Sequence, residues 1–248
     1  MGVAQAANEA CIKAYRDGIV RSVDVIVPGH WFLDAVRLLQ ENPGLDVGVH
    51  LCLTSEWERC KWGPLTHSPS LMDADGYFRP TVRQRPDFPR DTGFLDAKPR
   101  LDEVERELRA QIETARRHLP RISHLSDHMG AAESTPELHA LVVRLAKEYH
   151  LRLEDEQLRG APGFSGSRKT PAETEAGLVK VLEELTPGQW LIVEHPGLDT
   201  PEMRALGHQG NESVAVDRAG VTRAFTSDAV KAVITARGIQ LINYAQVQ

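Results

Sequence analysis

The chain has 248 residues, 26% of them charged and 41% hydrophobic, which fits one folded α/β domain and excludes a largely disordered chain. Its net charge of -6 gives no reason to expect nucleic acid as a partner, and no apolar run or basic-apolar leader suggests a membrane span or signal peptide. Cys11, Cys52 and Cys60 lack C-x-x-C spacing, which argues against a disulfide framework or thiolate zinc site and fits a reducing cytoplasm.

From the N-terminus, Val3, Ala6, Ala7, Ala10, Cys11 and Ala14 recur every three or four residues and predict a helix over residues 3–17, ended by Gly18. Val23 to Val27 reads as a short buried strand stopped by Pro28-Gly29. Trp31 to Gln40 is helical through Phe32, Ala35, Val36 and Leu39, and Val47 to Leu53 is the next strand. Such alternation marks a parallel sheet or barrel wrapped by helices.

Periodicity fails between Ser55 and Pro99, where Pro64, Pro69, Gly76, Pro80, Pro86, Pro89 and Gly93 punctuate a polar stretch. A loop insertion over about 55–99 is the size of a functional lid or binding segment, and an inert insertion is the alternative. Leu101, Val104, Leu108, Ile112 and Ala115 then mark a long amphipathic helix whose other face is rich in Glu and Arg. Strands are predicted at Ile122 to His128, Leu151 to Leu153, Trp190 to His195 and Ile239 to Tyr244. Helices are predicted at Pro136 to Tyr149, Ala172 to Leu185 and Ser227 to Arg237, with a loop at Gly160 to Lys169. No repeat or linker divides residues 1–248, so a single domain is expected.

Three of these strands carry histidine, and in parallel α/β folds the C-terminal strand ends form the active face. Alternation puts His50, Cys52 and Thr54 on one face of their strand; a lone strand histidine is more often a hydrogen-bonded core group than a ligand. It also aligns His124, Ser126 and His128 and sends Asp127 the other way. Two imidazoles on one face raise the case for a metal, although the spacing matches no zinc-finger or H-E-x-x-H pattern. His195, in Glu194-His195-Pro196-Gly197, reads either as a turn residue or as a general acid or base at a barrel mouth.

Together these motifs resemble the YdjC-like, or ChbG-type, carbohydrate deacetylases. Gly48 to Thr54 matches that family's G-[LV]-H-L-x-L-T segment, and Ser123 to His128 stands where the family has T-H-x-D-S-H. Trp62-Gly63-Pro64-Leu65, Ser70-Leu71 and Asp75-Gly76-Tyr77-Phe78 resemble its proline-bearing loop. Glu194 to Gly197 resembles its E-x-x-H-P-G block with two residues fewer before the His, and Gly238 to Tyr244 resembles its closing strand.

The resemblance implies a distorted, TIM-like β/α barrel of the polysaccharide-deacetylase type. It implies a hydrolase that removes N-acetyl groups from acetylated amino sugars or chito-oligosaccharides with one divalent metal ion, Mg or Zn. His50 and His128 would be metal ligands, and His195 would protonate the leaving amine. Substrate contacts are expected among His124, Asp127, Arg152, Trp62 and Arg218, with Trp57, Trp62 and Tyr77 as rings that stack on sugar or pack the loop. A homodimer is compatible with the family; a membrane partner is not expected.

Two departures stand out. The family's first strand ends in Asp-Asp-aromatic-Gly before a helix containing Asn, and Met1-Gly2 with Asn8 begins inside that motif. The reading is therefore a barrel without its first strand, from a late start or a fragment, with a catalytically impaired sugar- or partner-binding barrel as the alternative function. The second departure is Ser126-Asp127 where the family has Asp-Ser, which aims Asp127 away from His128.

Overall fold

In a computed structural model, residues 1–153, 158–166 and 169–247 are described. Helix α1 (Gln5–Arg16) leads into strand β1 (Ser22–Val25), helix α2 (Phe32–Gln40) and strand β2 (Asp46–Leu51). After the long loop come α3 (Leu101–His118), β3 (His124–Asp127), α4 (Pro136–Tyr149), β4 (Arg152–Leu153) and β5 (Arg159–Gly160). Helix α5 (Pro171–Glu184), β6 (Trp190–Leu191), α6 (Pro201–Ala205), α7 (Val214–Thr226) and α8 (Asp228–Ala236) complete the chain. The strands form a parallel sheet in the order β1-β2-β3-β4 and a second parallel pair, β5-β6.

The fold is therefore α/β with parallel strands and crossover helices, as the alternation predicts. β2 is buried along almost its whole length because it lies between β1 and β3 with helices outside; Val47, Val49 and Leu51 are fully buried. Gly48 stands in register between Asp24 and His124. A Cβ there would lie 2.3 Å from Asp24 Oδ1 and 2.4 Å from His124 Nε2, so the two flanking side chains meet only because this residue has none.

On the outer edge of β1, the Met1 amine donates to the Asp24 carbonyl at 2.6 Å and Ile26 N–H donates to the Met1 carbonyl at 2.9 Å, the pattern of one parallel pairing. Gly2, at φ 99°, donates to the buried Asn8 Oδ1, and Asn8 Nδ2 donates to the Trp31 carbonyl and Asp34. The start of α1 is thereby fastened to the start of α2.

Several expected elements need correction. The expected strand at Ile239 to Tyr244 makes no strand ladder among the described residues, and the chain closes in a 3₁₀ turn at Tyr244–Gln246. Among the described residues, the expected strand Trp190 to His195 pairs through Trp190–Leu191 alone, beside β5. Helices α6 and α7 were not anticipated: α7 is buried on Val214, Ala215, Val221, Ala224 and Phe225, and Gly220 lets it approach Thr174 of α5 closely, so its apolar positions form no single stripe. In the predicted loop Gly160 to Lys169, residues 167 and 168 lie outside the described residues.

The long loop is held by α3. Glu103, Glu107 and Gln111, spaced i, i+4, i+8, are buried. Glu107 accepts from Leu65 N–H, Thr66 N–H and the Thr66 hydroxyl, and Glu103 accepts from Ser70 N–H and its hydroxyl. Gln111 both accepts from Cys52 N–H and donates to its carbonyl, replacing the ladder that β2 loses after Leu51. No helix among the described residues is long and apolar enough to cross a membrane.

Candidate active site

A cavity of about 1000 Å³ is lined by His50 near the end of β2, by His128 just after β3, and by Asp24, Glu56, Trp57, His195, Arg218 and Tyr244. Strand geometry explains the histidines. His50 and Ser126 are register partners on adjacent strands, and His50 Nδ1 lies 2.6 Å from Ser126 Oγ. His128 follows the last residue of β3, where the chain turns through Met129 at φ 57°.

The two imidazoles stand 5.2 Å apart between ring centroids, edge to face. Burial, with the charge of His128, pushes the His50 pKa down to about 3, so its ring is neutral near pH 7 and presents a lone pair. His128 Nε2 lies 2.9 Å from Glu56 Oε2. Burial alone would raise the Glu56 pKa, but the charge of His128 and this hydrogen bond hold it below the usual value. The carboxylate is therefore the acceptor and His128 Nε2–H the donor.

His195 is exposed to the cavity on the segment after β6. The protein mass around it, then the positive charges of Arg218 and His128, push its pKa down to about 4. The turn that carries it is stapled to α7: Gly197 N–H donates to the Arg218 carbonyl and the Thr222 hydroxyl, and that hydroxyl donates to the Gly197 carbonyl. Arg218 lies with its guanidinium 5.2 Å over the Trp57 ring. Trp57 also stacks on His208 at 5.7 Å.

The other expected contact residues do not line the cavity. His124 is fully buried beneath it, stacked on Tyr244 at 3.8 Å, with Nε2 2.9 Å from Asp24 Oδ1. Asp127 accepts from Ala132 N–H and Glu133 N–H and so fastens the turn after His128; burial pushes its pKa up to about 6 against those two hydrogen bonds. Arg152 is exposed and donates to the Val247 carbonyl. Trp62 is buried, donating to Cys52 Sγ at 3.0 Å, with its ring 6.0 Å from that of His128.

Glu56 was not singled out in the sequence reading. It sits in the irregular stretch after β2, where strand periodicity has ended, and only its place two residues beyond Thr54 of the histidine strand hinted at the site. Asp24 was likewise missed, although a carboxylate in the otherwise apolar Val23–Val27 run is a legible anomaly.

The family resemblance implies a divalent cation. The donor chemistry of the pair fits one: two close imidazoles from neighbouring strands, one of them neutral by burial, each with a ring nitrogen engaged by an oxygen and each facing the cavity. Among the described residues no three His, Cys, Asp or Glu side chains converge on one point, so further positions would be left to water or substrate.

A family model described as YdjC-like protein matches residues 1–236. A carbohydrate deacetylase of Thermus thermophilus is 37% identical over 204 residues, covering 73% of this chain and 70% of that protein. A carbohydrate deacetylase of Brevibacillus brevis is 27% identical over 261 residues, covering 99% and 95%. A solved structure from Enterococcus faecalis, named as a candidate cellobiose-phosphate cleavage protein, superposes with a TM-score of 0.75 over 98% of this chain and 94% of that one. At 24% identity that likeness concerns the fold alone.

Proposed function

Because the chain belongs to the YdjC-like family, we propose that it is a carbohydrate deacetylase, hydrolysing the N-acetyl group of acetylated amino sugars at the cavity mouth. The observation that supports this most is the convergence of His50 and His128, 5.2 Å apart, on a cavity that His195 also faces. His50 and His128 would hold a divalent cation. Bound there, it would polarise the amide oxygen and lower the pKa of a water molecule.

The chain's own groups supply the proton transfers. His195, neutral near pH 7, accepts a proton as the water oxygen bonds to the acetyl carbon. It then returns that proton to the nitrogen as the C–N bond breaks, and acetate and the free amine leave. Ser126 and Glu56 hold the two ligand rings in orientation.

The test is acetate release from N-acetylglucosamine and chito-oligosaccharides after chelation and after restoring magnesium, zinc or cobalt. Release that depends on metal and disappears in His50→Ala and His128→Ala is expected. No release from any sugar with any metal overturns the reading. A second reading, a sugar-binding barrel without turnover, draws on the lack of a third side-chain ligand among the described residues. Calorimetric binding of acetylated sugar with no acetate release would select it.

A further inference from the structure

Glu56 and Trp57 reach the cavity from residues 52–60, which belong to no helix or strand, so their placement depends on what grips that segment. At one end Ser55 N–H donates to the Arg79 carbonyl at 3.0 Å, and the Ser55 hydroxyl oxygen accepts from Trp62 N–H at 3.0 Å. At the other end Glu58 N–H donates to the Gly207 carbonyl at 3.1 Å, and the Glu58 carboxylate accepts from Gln209 N–H at 3.2 Å. The Trp57 indole nitrogen makes no hydrogen bond among the described residues, so its ring is placed by contact. The His208 imidazole stacks on it at 5.7 Å with 23° between the planes, and the Arg218 guanidinium lies 5.2 Å over it.

His208 is itself fixed. It pairs with Asn211 in an antiparallel bridge closed by Gln209 and Gly210, the latter at φ 83°. His208 Nδ1 lies 2.9 Å from the Gln209 carbonyl, which can only accept, so Nδ1–H is the donor and the ring orientation is set. Phe88, from the long loop, lies 5.8 Å from the imidazole. The connection between β6 and α7 that carries this hairpin also carries His195 near its start. Between the two it is anchored to the start of α1: Leu198 N–H donates to the Ala6 carbonyl, and Glu202 accepts from Gln5 N–H and Ala6 N–H. The hairpin thus ties the turn bearing Glu56 and Trp57 to the segment that presents His195.

We propose that His208 is a positioning residue of this cavity: its ring seats Trp57, and its hairpin, through Glu58, keeps Glu56 aimed at His128. The consequence for turnover rests on the deacetylase reading, whereas the placement of the turn does not.

Wild type, His208→Ala and His208→Phe, which keeps a flat ring, are compared, with thermal melts to verify folding. Two readouts need no activity. One is Trp57 emission, isolated by subtracting the spectrum of each protein's Trp57→Phe counterpart, and the other is amide hydrogen exchange over residues 56–58. His208→Ala is expected to shift the emission and to speed exchange about tenfold, with His208→Phe close to wild type. In deacetylation, kcat is expected to fall about 3- to 10-fold in His208→Ala and to recover in His208→Phe. Unchanged emission and exchange in His208→Ala overturn the inference whatever the activity. So does an equal loss in His208→Phe, which leaves the stacked ring no role, and so does an unchanged kcat in a chain that turns over. Altered emission and exchange in a chain that deacetylates no sugar keep the placement and remove the function, whereas deacetylation with emission and exchange independent of His208 does the reverse.

Discussion

Asp24 and His124 touch at 2.9 Å over Gly48, which has no Cβ, so one glycine on the central strand decides whether the two polar side chains can meet. Gly48→Ala should destabilise the protein by about 1–3 kcal/mol through overpacking between two polar groups that cannot retreat into neighbouring strands. Chemical denaturation checks it; an unchanged midpoint would show that the strands separate freely.

The same contact has a pH signature. Burial raises the Asp24 pKa, but the 2.9 Å contact with His124 and its charge, with the charges of His50 and the N-terminus, outweigh it and hold the value at about 2, below the usual 3.8. A depressed carboxylate contributes stability that is fully present above 3.8 and is lost as the pH falls through about 2, here of order 2 kcal/mol. In denaturation series from pH 7 to 2.5, Asp24→Asn should flatten the acid end of the stability curve relative to wild type. Parallel curves would contradict the assignment.

Glu56→Ala leaves the buried His128 Nε2–H without its acceptor. If His128 is a cation ligand, losing this outer partner should weaken cobalt or zinc binding about 10- to 100-fold. Glu56→Gln, which keeps an oxygen acceptor, should fall in between. Metal titration monitored by calorimetry or cobalt absorbance reads both, and identical affinities would limit Glu56 to packing.

His195→Ala should lower kcat about 10²- to 10⁴-fold with little change in KM, as expected for a group used in proton transfer. Because burial and the charges of Arg218 and His128 bring its pKa to about 4, the wild-type acid limb should fall well below the pH 6.5 of an ordinary histidine. A limb at 6.5 would assign the titration to a different group.

Gln111→Leu removes the side chain that satisfies both the N–H and the carbonyl of Cys52. Two buried backbone groups left unpaired should cost about 2–4 kcal/mol. Thermal melts of the variant test it, and the loss should also loosen the stretch carrying Glu56.

Much of the architecture is legible because periodicity is a local property. Spacing alone places α4 at Pro136–Tyr149, puts α5 within one residue of each end and marks the apolar face of α3. Two histidine-bearing strand ends are legible for the same reason: alternation assigns His50 to one face of its strand, and Ser126 and His128 to one face of theirs, before any contact is known.

What the amino-acid order leaves open is how many neighbours each segment finds. Gly238 to Tyr244 has a strand's composition and forms no ladder among the described residues, because a strand exists only where another backbone lies beside it. Glu56 and Arg218 reach the histidines from an irregular loop and an unstriped helix, and neither approach leaves a period to read. Residue order thus names the imidazoles. Only packing in three dimensions brings a carboxylate to one of them and turns the Arg218 guanidinium toward the same cavity.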